Sequence, residues 1–189
     1  MSLPSNPVPL LPGPLIADFS NRRNSGWRKA MTISVRVASA ADIDAIVRLN
    51  RDVQQLHAEL EPSFFKSNVD SEEVAAFFAA KLALSENHIR LADGGDGPNG
   101  YVWFEVQERP EMPLTLARKR IYIHHLSVQA RARRHGIASA LLRQVEAEAL
   151  ISGITSIALD AWAANGSARS FFEARGFTPF NLSLGKRLT

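Results

Sequence analysis

The sequence of 189 residues contains no cysteine. The chain therefore has no disulfide framework, no thiolate metal site and no cysteine nucleophile. An acyl-enzyme would need a serine, and the G-x-S-x-G turn that exposes such a serine in many hydrolases is absent as well. These absences favour chemistry that proceeds without a covalent enzyme intermediate.

Long apolar runs are also missing. No stretch approaches the roughly 20 apolar residues of a membrane span. Pro9, Pro12 and Pro14 interrupt the apolar stretch near the N-terminus, so residues 1–30 lack the apolar core of a secretory signal. We therefore expect a cytoplasmic protein with no membrane partner.

The excess of positive charge is confined to the N-terminal segment. The sequence pI is about 9.6, with 22 basic and 19 acidic residues. Four of the basic residues and one acidic residue fall within 1–30, which leaves 18 of each in the remainder. A nucleic-acid-binding domain normally carries its basic excess on the folded surface. We therefore expect no nucleic-acid partner.

The length fits one domain, which we place over residues 31–189. Residues 1–30 are rich in proline, and we expect them to form a disordered leader. Two alternatives stay open: Met31 is the true start, or the leader packs on the domain or on a partner. The second would use its apolar residues, which are Leu10, Leu11, Ile16 and Trp27.

Apolar spacing and chain breakers predict a mixed α/β fold. Strands are predicted over residues 33–37, 88–92, 101–107, 119–128 and 154–160, with one or two closing strands over 177–188. Helices are predicted from Ser39 to about His57, from Asp70 or Ser71 to Ser85, from Gly136 to Gly153, and from Asn165 to Gly176. We expect a mostly antiparallel central sheet of six to seven strands flanked by about four helices.

The turn from Arg133 to Ala138 reads R-x-x-G-x-A and lies between a strand and a helix. The first N–H groups of a helix have no partner within the helix, and its dipole places partial positive charge there. Gly136 allows a ligand to approach the backbone closely. The turn therefore suits an anion such as a phosphate, although it is neither a P-loop nor a dinucleotide-binding motif.

Two blocks of the sequence together resemble the GNAT family of N-acetyltransferases. The first is L-x-V at residues 126–128 followed by R-x-x-G-x-A, which resembles the acyl-CoA-binding motif of that family. The second is residues 165–177, which match N-x-x-A-x-x-[FY]-[FY]-E-x-x-G-F. The resemblance extends from about Ile33 to the C-terminus. It implies a GNAT fold and acetyl transfer from acetyl-CoA to a primary amine by direct attack in a ternary complex.

The resemblance also implies a set of cofactor-binding residues. These are Leu126 and Val128 for the pantetheine arm, Arg133, Arg134, Gly136, Ile137 and Ala138 for the pyrophosphate, His135 for local polarity, and Asn165 and Phe172 on the following helix. Asn165 also suits the N-cap of that helix. The acceptor would be a small-molecule or peptide amine.

The sequence departs from the family pattern at Phe172, where many members carry a tyrosine that protonates the leaving thiolate. Tyr122 and His124 are two apart on a strand, and the arylalkylamine acetyltransferases resemble this arrangement. We predict His124 as the base and Tyr122 as acid or relay, against the alternative that both are structural. Glu105 is an alternative base, and His125 is predicted to face away from His124.

Other interpretations stay open. The residue patterns contain no metal-ligand spacing among the histidines, so we expect no metal site. His57, Glu61, Phe64 and Phe65 are candidates for the wall of the acceptor pocket, although paired phenylalanines also suit a core. Loss of the tyrosine is compatible with a non-catalytic acyl-CoA-binding regulatory module. A homodimer and the identity of the amine are left open.

Overall fold

The fold is built on a sheet of five strands in the order β1-β2-β3-β4-β5. The structure is a computed structural model that describes residues 33–94, 97–186 and 188. The strands are β1 (Ser34–Val37), β2 (Asn87–Asp93), β3 (Pro98–Arg109), β4 (Arg118–Val128) and β5 (Ile157–Leu159). Neighbouring strands are antiparallel except β4 and β5, which are parallel. The leader predicted over residues 1–30 and the alternatives for it lie outside the described residues.

Four α-helices flank this sheet in the described part of the chain. They are α1 (Ile43–Leu60), α2 (Ser71–Leu82), α3 (Ile137–Ile151) and α4 (Gly166–Glu173). The predicted capping box is present, since the Ser39 N–H donates to Asp42 Oδ2 over 2.8 Å, but it opens a 3₁₀ turn that precedes α1. The helix continues one turn past His57, and the chain breaks just before Pro62. The end of α2 comes at Leu82, three residues earlier than predicted.

The helices bury opposite faces of the sheet. Helices α1 and α2 cover one face through a buried cluster that contains Ile46, Leu49, Phe78, Ile89, Leu91, Tyr101 and Trp103. Helix α3 covers the other face through Ile137, Leu141, Leu142 and Val145, together with Phe104, Ile121 and Ile123 of the sheet. Successive side chains of β3 and β4 therefore point alternately to the face that α1 and α2 cover and to the face that α3 covers.

The closing strands predicted over residues 177–188 are not found. Residues 177–186 form no strand, so the described sheet has five strands rather than six or seven. Phe180, Leu182 and Leu184 alternate as in a strand, but their side chains are 73%, 75% and 85% exposed. The neighbouring strand β5 is shorter than predicted, with three residues. The alternation of apolar and polar residues predicted a strand here, but the three apolar side chains are exposed and form no buried face.

Gly100 of β3 allows α3 to begin close to the sheet. A Cβ at this position would lie 2.9 Å from Ile137 Cγ2 and 2.9 Å from the Ser127 carbonyl oxygen. We expect Gly100→Ala to lower the free energy of unfolding by about 1–3 kcal/mol, because the backbone oxygen cannot move aside cheaply. Urea denaturation measures the change. Gly185→Ala is the matched control because no heavy atom lies within 4 Å of its added Cβ, and equal stability of the two variants would contradict the packing argument.

Candidate active site

A β-bulge in β4 determines which side chains face α1 and α2. Trp103 of β3 pairs with His125, whereas Phe104 pairs with Ile123, so His124 is an extra residue between them. His124 stacks on the Trp103 ring at 4.1 Å, and His125 meets the same ring edge-on at 5.2 Å. The prediction that His125 faces away from His124 is therefore wrong, because the bulge breaks the strand alternation.

His124 and Glu105, which were separate candidates for the base, form a pair. Their Nε2 and Oε2 atoms lie 2.9 Å apart, and their side chains are 25% and 29% exposed. Gln107 Nε2 donates to the same carboxylate oxygen over 3.2 Å. A carboxylate only accepts hydrogen bonds, so His124 carries its proton on Nε2 and leaves Nδ1 as the basic nitrogen.

The pair combines a neutral imidazole with a carboxylate at neutral pH. Burial lowers the pKa of His124 from 6.5 and outweighs the opposite effect of Glu105. Burial acts to raise the pKa of Glu105, but hydrogen bonds from Gln107 and His124 outweigh it and hold that pKa below its usual value. His124 is therefore available as a proton acceptor near pH 7.

Tyr122 lies beside His124 on the same face, as their spacing predicts. Their rings meet edge-on with centroids 5.0 Å apart. The Tyr122 hydroxyl donates to Asp160 Oδ2 over 2.5 Å. Burial and then this carboxylate raise the pKa of Tyr122 well above 10. Sequence reasoning missed Asp160, which reaches Tyr122 because the parallel register pairs Tyr122 with Ala158.

Strand β4 has an open edge beyond the bulge. Its pairing with β5 ends where Ile123 meets Leu159. Among the described strands, none continues beside residues 124–128 on that side. The predicted cofactor residues Leu126 and Val128 lie along this edge, and their side chains pack on the α3 core. This edge of residues 124–128 therefore has no strand partner within the described part of the chain, and its backbone is available to an extended ligand.

Helix α3 begins at the end of this edge with its first turn uncapped. Gly136 is the N-cap residue with φ +84°, and no side chain caps the turn. By contrast, Asp70 accepts two backbone N–H groups of α2, and Asn165 Oδ1 accepts the Ala168 N–H of α4 over 3.0 Å. The first N–H groups of α3, which include those of Ile137 and Ala138, are therefore available to an anion.

Basic side chains surround the uncapped turn. Arg133 Nε donates to the Val128 carbonyl oxygen over 3.1 Å, and Arg134 adopts φ +65°. His135 Nδ1 lies 2.8 Å from the Arg133 carbonyl oxygen. Arg175, which follows α4, donates to Ser139 Oγ in the first turn of α3. Sequence reasoning missed Arg175, because nothing in its local sequence places it beside α3.

Helix α4 confirms one of the two predicted roles of Asn165, that of N-cap. Phe172 is half-buried on the same helix, and its ring contacts those of Phe171 and Phe177 at 5.2 and 5.4 Å. A phenylalanine has no transferable proton. Phe172 therefore cannot act as the acid that a tyrosine supplies at this position in many family members.

Three of the four candidates for the acceptor wall, His57, Phe64 and Phe65, form an aromatic group with Trp162, whereas Glu61 is the C-cap residue of α1. Phe64 and Phe65 contact the Trp162 ring at 5.2 and 5.1 Å, and the His57 ring lies 4.7 Å from that of Phe65 with 32° between their planes. Phe64 remains 73% exposed. The α1–α2 connection thus meets the segment that follows β5 through aromatic contacts.

The described residues contain neither a cluster of metal-ligand side chains nor a membrane-spanning helix. No group of three or more histidine, aspartate and glutamate side chains in this part of the chain could hold a metal ion. Within the same residues, no helix has the length and apolar character needed to cross a membrane.

Comparison with known families identifies the fold. The acetyltransferase (GNAT) family matches residues 53–177, which is more than half of the chain. The chain belongs to the GNAT acetyltransferase family. GNAT membership makes it an acyltransferase, and it confirms the family resemblance seen in the sequence. A search of curated proteins found no match.

Solved structures support the GNAT fold. The tetramutant of the BH1408 protein from Bacillus halodurans has a TM-score of 0.76 at 21% identity, covering 82% of this chain and 99% of that one. A predicted acetyltransferase with acetyl-CoA from Clostridium acetobutylicum has a TM-score of 0.64 at 21% identity, covering 82% and 96%. The aminoglycoside N-acetyltransferase AAC(6')-Iy in complex with CoA has a TM-score of 0.66 at 14% identity, covering 86% and 98%.

The His124–Glu105 pair can be tested by NMR titration of the imidazole. We expect the pKa of His124 to lie below 6.5 because burial disfavours its cation. Glu105→Gln should lower that pKa further, since the carboxylate favours the protonated ring. Glu108→Gln is the matched control, because Glu108 pairs with Lys119 instead. A titration midpoint above 6.5, or one that Glu105→Gln leaves in place, would contradict the pairing.

Proposed function

We propose that this GNAT protein is an acetyl-CoA-dependent N-acetyltransferase that acetylates a primary amine by direct attack in a ternary complex. The observation that carries the proposal is the arrangement along β4. A neutral histidine paired with a carboxylate lies at the bulge, and an uncapped helix N-terminus lies beyond the far end of the open edge. The four steps from His124 to Val128 span about 13 Å of extended strand, which suits a long thin ligand arm.

The residues along the open edge of β4 fit coenzyme A. The first N–H groups of α3, from Gly136, Ile137 and Ala138, would hold the pyrophosphate, with Arg133 and Arg134 adding positive charge. The backbones of Leu126 and Val128 would pair with the pantetheine arm. Asn165 and Phe172 would contact the arm from α4, and His135 would add polarity at the turn. Bound acetyl-CoA supplies the activated acetyl thioester. Two structures of similar fold, one with acetyl-CoA and one with CoA, support this assignment.

His124 would remove the proton that blocks attack by the amine. With a pKa near 10.4, only about one alkyl amine in 2,500 is neutral at pH 7, a cost of roughly 4.6 kcal/mol. The amine nitrogen forms a bond to the acetyl carbon as the carbon–sulfur bond breaks. Nδ1 of His124 would take the ammonium proton before attack, directly or through water, and pass it to solvent. It would then take the second proton, which the nitrogen loses after attack, while Glu105 stabilises the imidazolium in both steps.

The leaving thiolate needs no strong acid. An ordinary thiol has a pKa near 8.5, whereas the pKa of Tyr122 lies above 10 because of burial and Asp160. Full proton transfer from Tyr122 would therefore be uphill by about 2 kcal/mol or more. The hydroxyl of Tyr122 would orient the groups around it by hydrogen bonding, and the thiolate would take its proton from water. This accounts for a site in which Phe172 replaces the tyrosine.

A non-catalytic acyl-CoA-binding regulatory module is the second candidate. The observation that favours it is Phe172, which removes a proton donor found in many members of the family. Such a module would bind acetyl-CoA without consuming it in the presence of any amine.

Release of free thiol separates the two functions. Because the protein has no cysteine, a thiol reagent detects only coenzyme A when protein, acetyl-CoA and an amine are mixed. Amine-dependent thiol release, with mass spectrometry of the acetylated amine, supports the enzyme. Binding of acetyl-CoA without release for a panel of monoamines, polyamines, aminoglycosides and peptides would favour the module.

We expect Gly136→Val to abolish acetyl-CoA binding in isothermal titration calorimetry. The added side chain would occupy the mouth of the anion site, and φ +84° strains a β-branched residue. Gly153→Val is the matched control, because Gly153 lies at the other end of α3 with φ +66°. An added Cβ meets no heavy atom within 4 Å there and only Ile33 Cδ1, at 3.7 Å, at Gly136. Thermal denaturation would show that both variants fold. Unchanged affinity in folded Gly136→Val would refute the site.

His124→Gln should lower kcat by about 10²–10⁴-fold at pH 7 while leaving acetyl-CoA affinity unchanged, as expected for loss of a general base. The acidic limb of the pH–rate profile, which we expect below pH 6.5, should vanish in the variant. His88→Gln is a suitable control, because His88 is a half-buried strand histidine that stacks on Phe104 of the α3 face. A variant with an unaltered rate and pH profile would exclude His124 as the base.

A further inference from the structure

A cavity of about 300 Å³ lies between α1, α2 and the sheet. Its apolar lining includes Phe77, Phe78 and Trp103, and its polar lining includes Glu73 and His125. The volume suffices for a small organic group. Neither the open edge of β4 nor the His124–Glu105 pair occupies this space, so it is available to the second substrate.

The cavity adjoins the proposed reaction centre through Trp103. One neighbour of the indole ring is His124, stacked at 4.1 Å with 17° between the planes. His125, the residue after the bulge, meets the same ring edge-on and also lines the cavity. A molecule that enters between the helices would therefore bring its end to the bulge in β4.

The apolar walls are aromatic and stand nearly perpendicular to one another. Phe77 meets Trp103 at 5.4 Å and 82°, and Phe78 meets it at 5.9 Å and 80°. Trp103 Nε1 donates to Asn87 Oδ1 over 2.8 Å, which fixes the indole in place. A flat aromatic ring can pack edge-on or offset against such walls and gains about 0.5–1.5 kcal/mol per ring pair beyond burial.

The charges around the cavity disfavour a polycation. Of the described residues that line it, Glu73 is the one carboxylate. The Lys81 ammonium lies over the Phe77 and Trp103 rings at 5.5 and 5.6 Å. A polyamine or an aminoglycoside carries several ammonium groups, which need several carboxylates and would be repelled by Lys81. One positive charge on an apolar body fits better.

His125 presents a hydrogen-bond acceptor. The Tyr101 hydroxyl donates to Asn50 Oδ1 over 2.9 Å, and its oxygen lies 2.9 Å from His125 Nδ1. The hydroxyl has one proton, so His125 donates from Nδ1 and carries a lone pair on Nε2. Burial, with smaller effects of His57 and His124, lowers the pKa of His125 to about 4, which keeps the ring neutral. The hydrogen bond that His125 makes within the described part of the chain uses Nδ1, which leaves Nε2 for a ligand.

We propose that this cavity is the acceptor subsite and that it selects a monoamine carried on an aromatic ring. The ring packs against Phe77, Phe78 and Trp103, and an N–H of the amine donates to His125 Nε2, beside the base His124. The inference rests on the proposed acetyl transfer and adds the class of amine to it.

The test compares kcat/KM for four amines at saturating acetyl-CoA. The probes are 2-phenylethylamine, 2-cyclohexylethylamine, spermidine and kanamycin, of which the second matches the first in size but lacks the aromatic ring. We expect kcat/KM for 2-phenylethylamine to be about tenfold higher than for 2-cyclohexylethylamine. Its excess over spermidine and kanamycin should be larger still. Phe77→Ala should raise the KM for 2-phenylethylamine at least tenfold and leave the KM for acetyl-CoA unchanged. Phe77→Leu, which preserves an apolar wall, should raise it less.

Phe180→Ala is the control, since Phe180 is 73% exposed and does not line the cavity, and it should leave both constants unchanged. Three results would each overturn the acceptor class while acetyl transfer stands. The first is a higher kcat/KM for spermidine or kanamycin than for 2-phenylethylamine, and the second is an equal kcat/KM for the cyclohexyl and phenyl amines. The third is an unchanged KM for 2-phenylethylamine in Phe77→Ala. Absence of thiol release with every amine in the wider panel, despite binding of acetyl-CoA, would instead refute the proposed function and this inference with it.

Discussion

The β-bulge at His124 is the feature on which the site depends. In a regular strand, His124 and His125 would point to opposite faces, and one of them would enter the core beneath α3. The extra residue instead places both imidazoles against Trp103 on the α1/α2 face. The pairing of β4 with β5 stops at Ile123, directly before the bulge. One irregularity therefore places the polar side chains at the start of the open edge of β4.

The two histidines acquire different properties from different hydrogen bonds. Glu105 holds Nε2 of His124 and leaves Nδ1 basic, whereas Tyr101 holds Nδ1 of His125 and leaves Nε2 as an acceptor. Burial lowers the pKa of both rings, and it does so more for His125, which has no carboxylate partner. We infer that the first histidine exchanges a proton and the second orients the amine.

At the proposed cofactor end of β4, helix α3 lacks the side-chain cap that α2 and α4 have. An N-cap side chain contributes about 1 kcal/mol to a helix, and Asp70 and Asn165 provide such caps for α2 and α4. Gly136 provides none for α3. The cost to stability leaves backbone donors at the position where the proposed pyrophosphate would bind. Gly100 supports the arrangement by allowing the start of α3 to approach β3 and β4.

The sequence by itself determined what depends on neighbouring residues: caps such as Asp70, the chain break before Pro62, and the turn that leads into α3. Two motif blocks in order also identified the GNAT family. Only the tertiary structure decided the register of β3 against β4, because pairing between distant segments leaves no local signal. The contact of Tyr122 with Asp160 and the place of His125 follow from that register. The predicted closing strands are absent from residues 177–186 for a different reason: alternation indicates a strand only where a neighbouring element buries one face of it, and Phe180, Leu182 and Leu184 are exposed.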